Sequence, residues 1–305
     1  NLDCFQSIVT LISDNEKIKY CFAEYLTKTP LPSIKMEGVA YPILKKNIIT
    51  NDITLGLNNP RNAIITGPNA GGKSTFLKTV SLSVIFAQTI GVVPAQKFEF
   101  SPYHLLSTRI LGNDSIDRGL STFAVEMIEL RSILTRCNSR SLALGDEVCH
   151  GTESASAVAI VAASIAHLSE SQSSFIFATH LHELSKMEEV LCLENVKHYH
   201  LSIDFSGDQI VYCRTMKSGS GLGLYGIEVA KHLKIPSNVL TSSEFSIAMK
   251  AFSGRTTRIN SPSVFGEVES LISAPSKCTT PFLTITGKRL DSPIKSAIKL
   301  LLGYS

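Results

Sequence analysis

The 305-residue chain has little net charge, no closely spaced cysteine pair and no clean apolar stretch of bilayer length. Lys and Arg number 29 against 26 Asp and Glu, and the resulting charge of +3 argues against the broad basic surface of a dedicated nucleic-acid coat. Any contact with nucleic acid is therefore expected to be local. The seven cysteines (Cys4, Cys21, Cys137, Cys149, Cys192, Cys213 and Cys278) are odd in number, scattered and free of any C-x-x-C. That spacing argues against a disulfide framework or zinc knuckle and suits a reducing, intracellular compartment. Residues 79–96 carry no charge, but Ser81, Ser83, Gln88, Thr89, Gly91 and Pro94 interrupt them, so they read as a buried helix and its exit rather than a membrane span. The chain opens at Asn1 with no basic segment before an apolar one, so no signal peptide is expected, and it reads as a piece of a longer protein.

What is present is a substantial core: 44% hydrophobic against 18% charged residues, enough for about two domains at one per 100–200 residues. Over 1–28 the apolar positions Phe5, Ile8, Leu11 and Ile12 recur at helical spacing and predict one or two helices. The prolines and β-branched runs of 30–60 predict irregular strands. The centre then alternates: strand 63–66, helix 72–90, helix 121–137, strand 141–145, helix 153–169, strand 174–179. Strand, loop and helix in repetition predict an α/β protein with a mixed central sheet flanked by helices. Residues 153–168 are apolar nearly all round and are expected to form a helix that is buried rather than at the rim. From 251 to 305, Ser, Thr and Pro dominate. This tail is expected to be poorly ordered, with an amphipathic helix suggested through Ile294, Ile298 and Leu301 at its end.

Gly67-Pro68-Asn69-Ala70-Gly71-Gly72-Lys73-Ser74 fits G-x-x-x-x-G-K-[ST] at every defined position, directly after a strand and before a helix. Glycines let backbone N–H groups wrap phosphates, and the helix start adds a positive dipole end. In such a P-loop Lys73 reaches the β- and γ-phosphates and the Ser74 hydroxyl ligates Mg²⁺. The strand 141–145 runs into Asp146 and Glu147. This places Asp146 to hold Mg²⁺ and Glu147 to activate water, so the loop would turn nucleotide over rather than store it. Gly145 stands where a bulkier apolar residue is expected, which predicts a looser strand end. His180 follows the strand 174–179 at the edge where α/β sheets bind ligands, and fits a γ-phosphate sensor. His180-x-His182 and His198-x-His200 also have metal-pair spacing, without a third ligand in reach along the chain. Ser121 or Thr122 is the expected N-cap of the helix over 121–137 and offers a second anion-binding helix start. A long insertion separates Lys73 from Asp146, as in transporter and chromosome-organising ATPases. There this capped helix serves the nucleotide of a partner subunit.

GPNAGGKSTFLKTVSL, TRILGND, STFAVEMIEL, DEVCHGTES, FATHLHEL and YGIEVAK, in that order, resemble the motifs of the C-terminal ATPase region of MutS-type DNA mismatch-repair proteins. The likeness runs from about Leu2, at what resembles the end of the lever helices, to about Ala248. It implies a P-loop NTPase of the ABC-ATPase type over 30–250, with 1–29 as the end of lever or clamp helices. It further implies a homo- or heterodimer of MutS-like subunits with composite Mg-ATP sites, coupled to a clamp on mismatched or branched double-stranded DNA. Carried over, Asn69, Lys73, Ser74 and Thr75 hold phosphate and metal, Asp146 helps hold Mg²⁺, Glu147 activates water, Ser121 reaches across the dimer and His180 senses the γ-phosphate. The chain departs from the family's usual pattern at Ala70, where Met is common, and at Cys149-His150, where Gly-Arg is common. The family's mismatch-reading Phe-x-Glu element belongs to an N-terminal domain outside this sequence, so DNA would be met through that part. Two alternatives stay open: a transporter or chromosome-organising ATPase, whose L-S-G-G signature is here Leu120-Ser121-Thr122-Phe123, and a non-hydrolysing module that uses nucleotide to hold a dimer.

Overall fold

A computed structural model describes residues 2–13, 17–27, 29–110, 122–206, 209–221, 225–232, 234–236 and 239–240. Helix α1 (Leu2–Ser13) leads into two short strands, β1 (Cys21–Phe22) and β2 (Glu24–Tyr25), and then into β3 (Ser33–Val39) and β4 (Asn51–Leu55). Helix formation over 1–28 therefore holds only for the first half. The helical apolar spacing ends at Ile12, and the backbone beyond it finds strand partners instead. Cys21 and Phe22 pair antiparallel with Val93 and Val92, and Glu24 and Tyr25 pair parallel with Glu99 and Phe100. Helix α1 has no buried residue, and Leu2, Phe5, Val9 and Ile12 of its apolar stripe are exposed.

The centre follows the expected alternation closely. Strand β5 (Asn62–Thr66) leads to α2 (Lys73–Thr89), then β6 (Val92–Val93), β7 (Lys97–Ser101) and β8 (Leu105–Arg109). Helix α3 (Thr122–Arg136), β9 (Ser141–Asp146), α4 (Ser154–Glu170) and β10 (Ser174–Thr179) come next. A 3-10 turn (His182–Lys186), α5 (Glu188–Leu191), the long hairpin β11 (Val196–Ser206) and β12 (Gln209–Ser218), and α6 (Tyr225–His232) complete the order. The tail 251–305 and its suggested helix lie outside the described residues.

The six-stranded sheet has the order β12-β11-β5-β10-β9-β8, parallel throughout except for the antiparallel pair β11–β12. It is a mixed sheet, as the sequence predicts. Side chains alternate across it with the period of two that strands impose. Ala63, Ile65, Leu142, Leu144, Ile176 and Ala178 join one core with α2, while Ile64, Ala143, Phe175 and Phe177 join another with α3 and α4. A second sheet, β2-β7-β3-β4, closes over α2 from the other side through Ile34, Met36 and Phe98.

Between the two sheets α2 is buried on nearly every side, as expected of 79–96, through Phe76, Leu77, Val80, Leu82, Val84 and Ile85. The more apolar α4 departs from its expectation. Helix α4 buries one face through Ala157, Val161, Ile165 and Leu168 and leaves Ala163 and His167 exposed. Among the described residues no helix is long and apolar enough to cross a membrane.

Gly145 is also tighter than expected. A Cβ built there would lie 2.9 Å from Phe177 Cδ1 and Cε1 and 2.9 Å from Val148 Cγ2, because the Phe177 ring of β10 occupies the space a side chain would need. Gly145→Ala is expected to lower stability by about 1–3 kcal/mol through overpacking, seen as a lower urea midpoint with an unchanged slope.

Cys4, Cys21, Cys137, Cys149, Cys192 and Cys213 are all free thiols. Burial pushes the Cys137 thiol up to about 11, with the Arg136 charge and Ser141 hydroxyl opposing, so very little thiolate forms near pH 8. Alkylation of the folded protein at pH 8, followed by peptide mass spectrometry, is expected to label exposed Cys4 and Cys192 within minutes. Cys137 should be labelled only after denaturant is added.

Candidate functional site

The parallel register sets three strand ends side by side. Thr66 pairs with Thr179, and Ala178 pairs with Asp146, so the chain leaves β5, β10 and β9 along one edge. Gly67 follows the first end, His180 the second and Glu147 the third, and all three depart where loops can present polar groups without breaking the sheet.

The loop after β5 is held in one shape by its own atoms. Gly71 N–H donates to Pro68 O at 3.1 Å, and a side chain at Gly71 would strike that same oxygen at 2.9 Å. Gly72 caps α2 at φ 101°, in the left-handed region where glycine is unstrained, whereas Ala70 accepts φ 63° despite its Cβ. The Lys73 ammonium turns back into the loop, donating to Gly67 O at 2.8 Å and Pro68 O at 3.1 Å, and meets Glu147 Oε1 at 3.4 Å. It is a buried cation in a cup of oxygens, the environment that a phosphate could enter.

Asp146, at the end of β9, is fully buried, and neither carboxylate oxygen has a hydrogen-bond partner among the described residues. Burial raises its pKa, and Glu147 pushes the same way. The Ser74 hydroxyl and the charges of Lys73 and Lys78 pull it back. A buried carboxylate left this way, facing Ser74 of α2, is suited to a small hard cation. Glu147 is fixed by its backbone: φ is 47°, and its N–H donates to Ala178 O at 2.8 Å across the strand ends. His180 is exposed, with a ring nitrogen within 4.8 Å of the Glu147 carboxylate.

Beside the loop lies a cleft of about 490 Å³. Pro68, Asn69, Ala70, Gly72, Lys73, Ser74, Thr75 and Glu147 line its polar side, so most sequence-predicted site residues meet there. Gly67, Gly71, Asp146 and His180 are not on the wall, and the two glycines act by shaping the loop. Ser121 lies outside the described residues. Helix α3 does begin at Thr122, as the capping pattern predicts, and Phe123 sits against the turn after the acidic pair, where Gly151 leaves room for it.

Sequence reasoning missed the other wall. Tyr41, Leu44, Asn47 and Ile49, from the connection between β3 and β4, and Arg214 of β12 face the same cleft. Asn51 ties these pieces together, donating from Nδ2 to Arg214 O at 3.1 Å and accepting from Met216 N at 2.7 Å. No local pattern marks these residues, because only tertiary packing brings them to the loop. The histidine pairs also fare differently from their spacing. Burial holds both His182 and His198 below the usual imidazole range, and His200 Nδ1 rests on Gly219 O at 2.9 Å. None of these three belongs to a metal-like cluster among the described residues, whereas His180 does, with Glu147 and His150.

Behind the site a buried ion pair links three segments. Arg109 Nη2 of β8 meets Glu126 Oε1 of α3 at 3.1 Å, Glu129 closes on the same guanidinium, and Glu126 Oε2 accepts from Gly151 N at 3.2 Å.

This arrangement defines an α/β protein in which a lysine-bearing glycine loop and two adjacent acids gather at the carboxyl end of parallel strands, with Lys73 and Glu147 lining one cleft. The MutS domain V model matches residues 63–249, well over half of the chain. The chain therefore belongs to the MutS family. It is 45% identical over 175 residues to a mutS homolog of Acanthamoeba polyphaga mimivirus, covering 56% of this chain and 16% of that protein. It is 37% identical over 222 residues to the mitochondrial DNA mismatch repair protein mutS homolog of Sarcophyton glaucum, covering 71% and 22%. It is 34% identical over 252 residues to the DNA mismatch repair protein MutS of Clostridium botulinum, covering 80% and 26%. The chain thus spans about a quarter or less of the length of these relatives.

Removing one partner of a buried pair leaves the other charge stranded, at a cost of about 3–5 kcal/mol. Arg109→Ala is expected to destabilise by that order in urea unfolding. The double change Arg109→Met with Glu126→Leu should recover most of the loss, which a purely steric role for Arg109 would not allow.

Proposed function

We propose that this chain is the ATP-binding and ATP-hydrolysing dimerisation module of a MutS-like mismatch-repair protein, a P-loop fold of the ABC-ATPase type. The observation that carries the reading is the convergence of Lys73, from a helix start, and Glu147, from the end of β9 directly after the buried Asp146, on a cleft with one apolar and one polar wall. The apolar wall of Tyr41, Leu44 and Ile49 suits a flat base, and the glycine loop with Lys73 suits the phosphates. Mg²⁺ arriving with the nucleotide would be held by Ser74 and Asp146, where it neutralises charge on the phosphate oxygens. The orphaned, buried Asp146 carboxylate is the feature of this chain that fits it.

In this reading Lys73 exchanges its loop carbonyls and Glu147 for β- and γ-phosphate oxygens. Glu147 is thereby freed to accept a proton from the attacking water, and His180 senses the γ-phosphate from the neighbouring strand end. Asn69 and Thr75 complete the phosphate cradle, and Ser121 closes the site of a second subunit, homo- or heteromeric. Residues 30–250 form the ATPase unit. The exposed apolar stripe of α1 suits the end of a lever that continues into partner structure and couples nucleotide state to a DNA clamp. Mismatched or branched DNA would be met by that remaining part. The Lys73–Glu147 ion pair also favours a second reading, in which the acid holds the lysine and nucleotide serves only to join subunits.

Steady-state hydrolysis of Mg-ATP, measured as protein concentration rises, separates the two. The first reading expects specific activity to climb with concentration. Lys73→Ala is expected to abolish ATP binding, and Glu147→Gln to keep binding while turnover falls roughly 10²–10⁴-fold. Undiminished turnover in Glu147→Gln would remove the role given to that acid, and tight binding without phosphate release at any concentration would favour the second reading.

A further inference from the structure

The turn that carries the acidic pair holds a second cluster with different chemistry. Ligand atoms of Glu147, His150 and His180 all lie within 4.8 Å of one another. Glu147 directs Oε1 to Lys73 and so turns Oε2 toward His150 Nδ1, 3.9 Å away. The imidazoles of His150 and His180 stand edge to face with centroids 5.7 Å apart. The backbone fixes this grouping, since Glu147 N–H is bonded to Ala178 O, two residues before His180.

We propose that Glu147, His150 and His180 form a three-ligand site for a transition-metal ion of the zinc class. Two imidazole nitrogens and one carboxylate are a known catalytic zinc set, leaving a fourth position for water. Magnesium and calcium take oxygen ligands, so this site is chemically separate from the one offered by Ser74 and Asp146. Bonds of about 2.0–2.2 Å to each ligand bring the donor atoms to roughly 3.5 Å apart. Closing from 4.8 Å needs only side-chain rotation by two exposed imidazoles, with no movement of the strands. His150 is 57% exposed, so the ion has an open path in. The consequence for turnover rests on the reading under Proposed function: an ion here ties up Glu147 and His180 and therefore inhibits hydrolysis.

Cobalt(II) is a suitable probe, because a site with few ligands gives visible d–d bands. Titration of the chain without nucleotide, in millimolar Mg²⁺, is expected to show one saturable Co²⁺ site that Zn²⁺ displaces. His150→Ala should weaken it at least tenfold, with the fold checked by circular dichroism, while His200→Ala should leave it unchanged. Equal Co²⁺ binding by wild type and His150→Ala, or loss in His200→Ala, would overturn the site. In the hydrolysis assay, micromolar Zn²⁺ should slow wild type and spare His150→Ala, and equal inhibition of both would overturn the inhibitory role. A wild type without turnover would count against the hydrolytic reading, and the Co²⁺ titration would then decide this proposal by itself.

Discussion

The site depends on the hydrogen-bonded register of three parallel strands. With Thr66 opposite Thr179 and Ala178 opposite Asp146, the chain exits β5, β10 and β9 at one level. A slip of one residue along any of them would turn its buried side chains to the opposite face and shift its exit by about 3.3 Å. The two cores resist such a slip, because Ile64, Phe175 and Phe177 are packed on one side and Ile65, Ile176 and Leu144 on the other. Sheet packing and site geometry are thus one constraint. Residues with no part in the chemistry fix where Lys73, Glu147 and His180 can stand.

Charge then organises what the register positions. Lys73 is nearly inaccessible and surrounded by the carbonyls of Gly67 and Pro68 and the Glu147 carboxylate. Asp146 is buried with no hydrogen-bond partner among the described residues. Neither group is at ease by itself: the cation holds oxygens from its own loop, and the acid faces the Ser74 hydroxyl but lacks the set of donors a buried carboxylate normally gathers. A polyanion accompanied by a divalent cation would satisfy both at once. The site is costly when it contains only protein atoms, and that cost is the physical reason for reading it as a binding site.

Much of this was legible along the chain because the relevant segments are contiguous. The glycine loop, the strand ending in Asp146-Glu147 and the strand before His180 each carry their element type and their chemistry within a dozen residues, and each lies where the pattern placed it. What was not legible depends on distant packing. The burial of α2 was expected, but the one-sided exposure of α4, the more apolar helix, was not, because only α2 gains a second covering sheet, built from residues before β5 and after β6. Tyr41, Leu44 and Arg214 reach the cleft through the hairpin and the β3–β4 connection, and no short-range spacing announces them. Arg109, Glu126 and Gly151 belong to three motifs recognisable separately, but their buried contact appears only in three dimensions.

The turn after β9 shows how a departure from a family pattern can be absorbed. Cys149 sits at φ 67° and Glu147 at φ 47°, so two side-chain-bearing residues close together occupy the left-handed region that a glycine would take without strain. Such conformations cost of order 1–3 kcal/mol each and persist only where the surroundings over-determine them. Here three contacts do so: Glu147 N–H is held by Ala178 O, Gly151 N–H by Glu126, and the Cys149 side chain is buried in the core with α3 and α4. The strain is therefore borne by the sheet and by the Arg109–Glu126 pair rather than relaxed in the turn. A loop free to relax would let Glu147 swing into solvent. This one directs its carboxylate back to Lys73 and sets His150 facing His180.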